Sequence, residues 1–315
     1  MNGDPYKTWT TKSGVFWLRD LIPKLGPKRA RVLVYGYNSQ VASFSDDVST
    51  DGILQHAENL ASDLSANRSV SLFYASLHSF NIEKKKKKRK PSTSYLPYSP
   101  FKLRHCPDRP IIFICHSLGG LVVKRALIHC RSVPIEHLRS VYLSTHAILF
   151  LATPHNGSDI AKWGHLLHNI CGAVLPKQFM ESSPQLVNSL RANNEILQNI
   201  NSGFADIMSN FHIYFFHETR TTSIGHTRQL IVDESSAAPY IEGAERMGLE
   251  ADHRNMCKFE SINSPGYEAV ADALIRYSSD AQARIAERWT AEREMRRIKS
   301  QSKTLGIANG KIFLS

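Results

Sequence analysis

The stretch that most limits how this chain can fold is RPIIFICHSLGGLVVKRAL, residues 109–127. Five apolar residues (111–115) run into Cys115-His116-Ser117-Leu118-Gly119-Gly120, and a helical pattern begins at once. Strand, sharp turn and helix in that order are the context a Gly-x-Ser-x-Gly nucleophile elbow requires. The turn is so tight that the residues two before and two after the serine must be small. Gly119 meets that need after Ser117, and Cys115 meets it approximately before it. Ser117 is therefore expected at a strained strand tip with its hydroxyl presented. The Leu118 N–H, at the start of the following helix, lies where amide dipoles favour a developing oxyanion. His116 points the wrong way for a base and reads as a packing or hydrogen-bonding residue.

Around this turn, short apolar strands alternate with longer helical stretches. Candidate strands are 31–35 (RVLVY), 111–115 (IIFIC), 147–152 (AILFLA), 211–217 (FHIYFFH) and 229–232 (QLIV). Most are apolar on successive residues, as expected when helices cover both faces of a parallel sheet. Helical stretches are 15–22, closed by Pro23, then 53–66, 119–130, 184–200 and 266–277. The alternation predicts an α/β fold, a mostly parallel sheet with helices on both faces and right-handed crossovers.

The domain expectation is one α/β unit over 1–277, followed by a charged helical tail at 278–315 that Ile285, Trp289 and Met295 could seat against a neighbour. Residues 69–108 hold a basic run and four prolines after Lys90 without a sustained period, and read as a solvated, disordered insertion.

Composition excludes several classes. Of 315 residues, 42% are hydrophobic and 21% charged, which places the chain among ordinary globular proteins and away from disordered ones. No apolar run approaches the roughly 20 residues of a membrane-spanning helix. The net charge of +11 would point to nucleic acid or an anionic membrane, but KKKKKRK at 84–90 supplies +7 of it. The charge is a local tag, and no nucleic-acid partner is expected. Five cysteines without a CxxC pair read as free buried thiols in a reducing, intracellular compartment. His155 has no second ligand at a metal-binding spacing, so neither a metal nor another cofactor is expected.

A serine nucleophile needs a base, and the base an orienting carboxylate. With chain order serine, acid, histidine, the base should follow the last strand. After 229–232 only His253 is available, because residues 254–315 contain no other histidine. Three carboxylates end or follow strands: Glu218, the favoured acid; Asp233, the second choice; and Asp159. Asp252 is too close to His253 along the chain for easy pairing.

The motifs TWT (8–10) and FWLRDLIP (16–23), RVLVYGYNS (31–39), IIFICHSLGGLVVKRAL (111–127), ILFLATPHNGSD (148–159), IVDESSA (231–237) and DHRNMCKF (252–259) resemble, in order, the lipase-like serine α/β-hydrolases of the serine-active-site-containing protein family. In fungi, similar domains stand ahead of NACHT, ankyrin or tetratricopeptide regions. The resemblance covers about residues 5–277 apart from the insertion. It implies an α/β-hydrolase fold, cleavage of carboxylic or lipid acyl esters, and association with mitochondrial or endoplasmic-reticulum membranes. It also places His253 as the base, and sets His155 and Asn156 beside the nucleophile, shaping the pocket.

The resemblance further implies an apolar strand and a His-Gly-Leu-Gly-Gly type loop ahead of the TWT segment, the loop giving a second oxyanion amide. Met1-Asn2-Gly3-Asp4-Pro5 stands there instead, with only Gly3 matching. A truncated first core strand is therefore expected, with Gly36-Tyr37-Asn38 as a substitute source of the amide. A start codon chosen too late and an intron read through as protein would account for this start and for 69–108; if the insertion is real, KKKKKRK reads as a nuclear-import or anionic-surface tag or as a solvated linker. The competing reading of function is a catalytically impaired hydrolase-fold scaffold.

Overall fold

The computed structural model describes residues 6–25, 30–36, 53–68, 108–155, 166, 169–170 and 198–312, with side chains through residue 302. Four strands form one parallel sheet in the order β1-β2-β3-β6: β1 Ile111–His116, β2 Thr145–Leu151, β3 His212–Glu218 and β6 Ala244–Leu249. Between β3 and β6 the chain makes a short antiparallel hairpin, β4 Thr222–Ile224 and β5 Thr227–Gln229. The helices are α1 Trp17–Asp20, α2 at 53–68, α3 Gly119–Ser132, α4 Glu136–Ser144, α5 at 198–208, α6 Glu234–Ala237 and α7 Tyr267–Ile312.

β2 explains why the sheet carries helices on both sides. All seven of its residues are buried. Ala147, Leu149 and Leu151 pack into one core with Trp17 and Leu18 of α1 and Tyr267, Val270 and Ala273 of α7. Ile148 and Phe150 pack into the other with Leu60 of α2, Leu127 of α3 and Phe204 of α5. Side chains alternate across a strand, so the apolar run Ala147–Leu151 demands an apolar layer on each face. The long helix α7 serves both cores, its first three turns on one face and Ile285 and Trp289 on the other.

Several expectations change. Residues 31–35 do not form a ladder, and Val32 and Leu33 are exposed. QLIV at 229–232 is not a core strand: Gln229 ends the hairpin, and the amides of Ile231 and Val232 are turned to the Glu218 carboxylate. The strand beside β3 is instead Ala244–Leu249, whose Glu245 and Arg246 hid it from an apolar-run search. It is an outer strand of the described sheet, where charged side chains cost little.

Residues 15–22 give only the turn Trp17–Asp20, followed by a 3₁₀ turn Ile22–Leu25 that contains Pro23. The helix expected at 184–200 is described only from 198, and it continues to 208. The tail continues α7 without a break at 277–278; Ile285 and Trp289 are buried, whereas Met295 is exposed. Residues 1–5 and 69–107 lie outside the described residues, and with them Gly3 and the basic run.

Among the described residues, β1 has a ladder partner on one side only, β2. A cavity of about 1350 Å³ is lined by every residue of β1 and by none of β2, with residues 30–35, Trp9, Phe16 and Leu64 in its wall. The ends of β1, β2 and β3 where chemistry is expected face the same way, because all three strands run parallel.

Candidate active site

The turn after β1 has the strained form its sequence predicts. Ser117 has φ of 52°, in the left-handed region that costs a non-glycine residue about 1–3 kcal/mol. Tertiary contacts hold it there. Its N–H donates to the Leu151 carbonyl at 2.9 Å, and its own carbonyl accepts from Thr153 Oγ1 at 3.0 Å. Gly120 is the glycine on which this packing depends, because a Cβ there would stand 2.2 Å from Thr153 Oγ1. α3 begins two residues after the serine. Among the described residues, no group accepts the Leu118 N–H.

Three side chains distant in sequence meet at this turn. His253 Nε2 lies 3.0 Å from Ser117 Oγ, and His253 Nδ1 lies 3.2 Å from Glu218 Oε1. His253 and Glu218 are almost wholly buried and Ser117 is 5% exposed. Each comes from a different strand end: Ser117 follows β1, Glu218 closes β3, and His253 stands in the loop after β6.

The carboxylate is held by its surroundings. Oε1 also accepts the Ile231 and Val232 amides at 3.0 and 2.8 Å, which fixes its plane, while Oε2 is buried without a partner among the described residues. The imidazole is fixed through its backbone, whose N–H donates to Thr222 Oγ1 at 3.1 Å and whose carbonyl accepts from His116 Nε2 at 2.8 Å. Burial, then the neighbouring His253, pushes the His116 pKa down to about 3. His116 is thus a neutral donor at physiological pH, the hydrogen-bonding role expected of it.

Asp233 and Asp252 do not reach the histidine. Asp233 caps α6, its Oδ1 accepting the Ser236 N–H at 2.9 Å. The sequence Asp-Glu-Ser-Ser is a helix start, and an aspartate there satisfies a backbone donor. Asp252 Oδ1 accepts the Arg254 and Asn255 amides of its own turn. Asp159 and Asn156 lie outside the described residues.

Behind the elbow is a buried amine that the sequence reading passed over. Lys124 of α3 is 2% exposed, and its Nζ lies 2.7 Å from both His155 Nδ1 and Asn201 Oδ1. It also stands over the Phe150 and Phe204 rings. Burial pulls its pKa down to about 7, opposed by Cys115, and burial with Lys124 nearby holds His155 well below the usual imidazole range. The signal was a lysine one turn after Gly120 on the apolar face of LVVKRAL. Lys124 thus ties His155, in the loop after β2, to α3 and to Asn201 of α5, and His155 is not among the residues that line the cavity beside Ser117. Cys115, Cys130 and Cys257 are buried free thiols, each with its pKa raised by burial. Cys106 and Cys171 lie outside the described residues.

Comparison with known proteins gives one recurring similarity. The chain is 29% identical over 174 residues to Protein SERAC1 of Danio rerio, covering 53% of this chain and 24% of the relative. It is 31% identical over 152 residues to the Mus musculus protein of the same name, covering 48% and 21%. The Homo sapiens protein is 30% identical over 152 residues, with the same shares. The chain thus spans about a quarter of the length of the curated relatives it matches. No family model and no solved structure matches it. What geometry and comparison share is a chain of α/β-hydrolase-like topology, similar over about half its length to SERAC1 proteins.

Proposed function

We propose that this chain is a serine hydrolase that cleaves carboxylic or lipid acyl esters. The observation that carries the reading is the continuous contact from Ser117 Oγ through His253 to Glu218 Oε1, at 3.0 and 3.2 Å, on a serine with positive φ. In this mechanism Ser117 Oγ attacks the acyl carbon as His253 Nε2 takes its proton. The Glu218 carboxylate stabilises the imidazolium through the Nδ1–H. The Leu118 N–H donates to the oxyanion, and the proton on Nε2 passes to the departing alkoxide. A water, deprotonated by the same nitrogen, then releases the acid from the acyl-enzyme.

The apolar cavity beside Ser117 and Leu118 supports an acyl group as the part of the substrate held there. No helix among the described residues is long and apolar enough to cross a membrane.

A second reading, a hydrolase-fold scaffold with impaired turnover, is favoured by the oxyanion side. One donor is assigned, Leu118, where this fold uses a second amide from a loop after another strand. β1 has no described neighbour on that side. Loss of one donor typically lowers turnover about 100–1000-fold.

A fluorophosphonate probe and a short-chain p-nitrophenyl ester test both readings on the full chain. Labelling and turnover that disappear together in Ser117→Ala support the hydrolase. Labelling at Ser117 with turnover near the uncatalysed rate supports the impaired module. Folded protein that stays unlabelled, or labelling that persists in Ser117→Ala, defeats the hydrolase reading.

A further inference from the structure

We propose that His146, His212 and Asp280 form a binding site for a divalent transition-metal ion of the zinc class, which clamps α7 to the start of the sheet. His146 is the second residue of β2, His212 the first of β3, and Asp280 projects from α7. His146 Nε2 stands 3.2 Å from Asp280 Oδ1, and the two imidazole rings are 4.9 Å apart between centroids. One ligand atom from each of the three residues lies within 4.8 Å of the other two.

Those distances match a zinc site one side-chain adjustment from closure. Zinc bound by nitrogen and oxygen at about 2.0–2.2 Å in a tetrahedron separates neighbouring ligand atoms by about 3.3–3.5 Å. The His146–Asp280 edge, at 3.2 Å, is already close to that length. His146 is almost wholly buried and fixed, so closing the site falls to His212, which is exposed. Tyr277, one turn before Asp280, stacks on the His212 ring at 5.1 Å and limits its movement to sliding along that face. Two imidazoles and one carboxylate suit zinc, nickel or copper better than magnesium or calcium, which prefer oxygen. A water would take the fourth position.

Neighbouring cations lower the affinity without blocking the site. Arg284 Nε is 3.5 Å from Asp280 Oδ2, the oxygen the ion does not need. Arg288 is engaged by the carbonyls of Leu143, Thr145 and Asn210. The site stands where β2 and β3 begin, whereas Ser117 and Glu218 stand where β1 and β3 end. A seven-residue strand separates the two by roughly 20 Å. The ion therefore takes no part in ester chemistry, and its effect is to hold α7 against the sheet.

The full chain, stripped with a chelator, is titrated with Zn²⁺ by calorimetry and with Co²⁺ by visible absorption, and its melting is followed. The expected result is a zinc equivalent that raises the melting temperature by roughly 5 °C at a hundredfold excess over its Kd. Co²⁺ gives the intense visible bands of tetrahedral ligation. His212→Gln and Asp280→Asn, both at accessible side chains, each lose that equivalent, the shift and the bands, while Ser117→Ala keeps all three. The proposal is overturned if the parent binds no ion. It is equally overturned if either variant binds with unchanged stoichiometry and melting shift, since the chain's 14 histidines offer other sites.

Discussion

The two sides of β1 are built differently. Toward β2 the strand is laddered along its whole length, Ile111 to His116, with Ile114 opposite Leu149. The ladder continues past its end, where the Ser117 and Ala152 amides step across to Leu151 and Phe216. That staircase carries the position of β3, and so of Glu218, to the serine. Toward residues 30–35 the same strand faces a cavity, and Ile112, Phe113 and Ile114 are only partly buried. Ser117, His253 and Glu218 are thus positioned from one side of the strand. The flank that brings the three side chains together is laddered, whereas the opposite flank opens onto the cavity and carries none of them.

The sharpest test on the laddered flank is Glu218→Gln. It keeps the Ile231 and Val232 amides bonded to an oxygen but removes the charge behind the imidazole. Ester turnover should fall about 10³–10⁴-fold with melting little changed. A loss under tenfold would mean that the carboxylate does not orient His253. Equal stability on both flanks would break the comparison itself. Leu149→Ala, opposite β1 and fully buried, should cost about 2–5 kcal/mol in denaturant unfolding. Val32→Ser, across the cavity and 39% exposed, should stay within about 0.5 kcal/mol.

The smallest effect is read through pH. The folded pKa of Lys124, about 7, lies below its ordinary 10.5, so between those values the unfolded chain holds the extra proton. Folding therefore becomes more favourable as pH rises through that window. The penalty is complete below pH 7 and gone above 10.5. Lys124→Met lacks this contribution. The stability of the parent relative to the variant should climb between pH 7 and 10, by at most about 1.4 kcal/mol per unit. A flat difference would place the amine in water.

The elbow was legible because it is local: strand, serine, glycines and helix are contiguous, and the turn's steric demand acts on neighbours in sequence. The strands β1, β2 and β3 were legible for the same reason, as each is a contiguous run of apolar residues; in β2 and β3 that run is buried on both faces. His253 was reachable by elimination within a fixed chain order. Strand β6 was not, because an outer strand is free to carry Glu245 and Arg246. The segment 229–232 misled in the opposite sense. Ile231 and Val232 are buried and apolar, yet their amides are spent on a side chain and not on a ladder.

The sequence alone singled out Ser117 on a strand–turn–helix element as the candidate nucleophile, and left His253 as the one candidate base after the last expected strand. Only the tertiary structure brought Glu218 to His253 and set Asp233 as a helix cap, because a carboxylate at a strand end and one at a helix start look alike as letters. It also placed His146, His212 and Asp280 together. Local sterics act between neighbours along the chain, whereas a hydrogen bond between residues 35 or 136 positions apart exists only once the sheet has fixed its register.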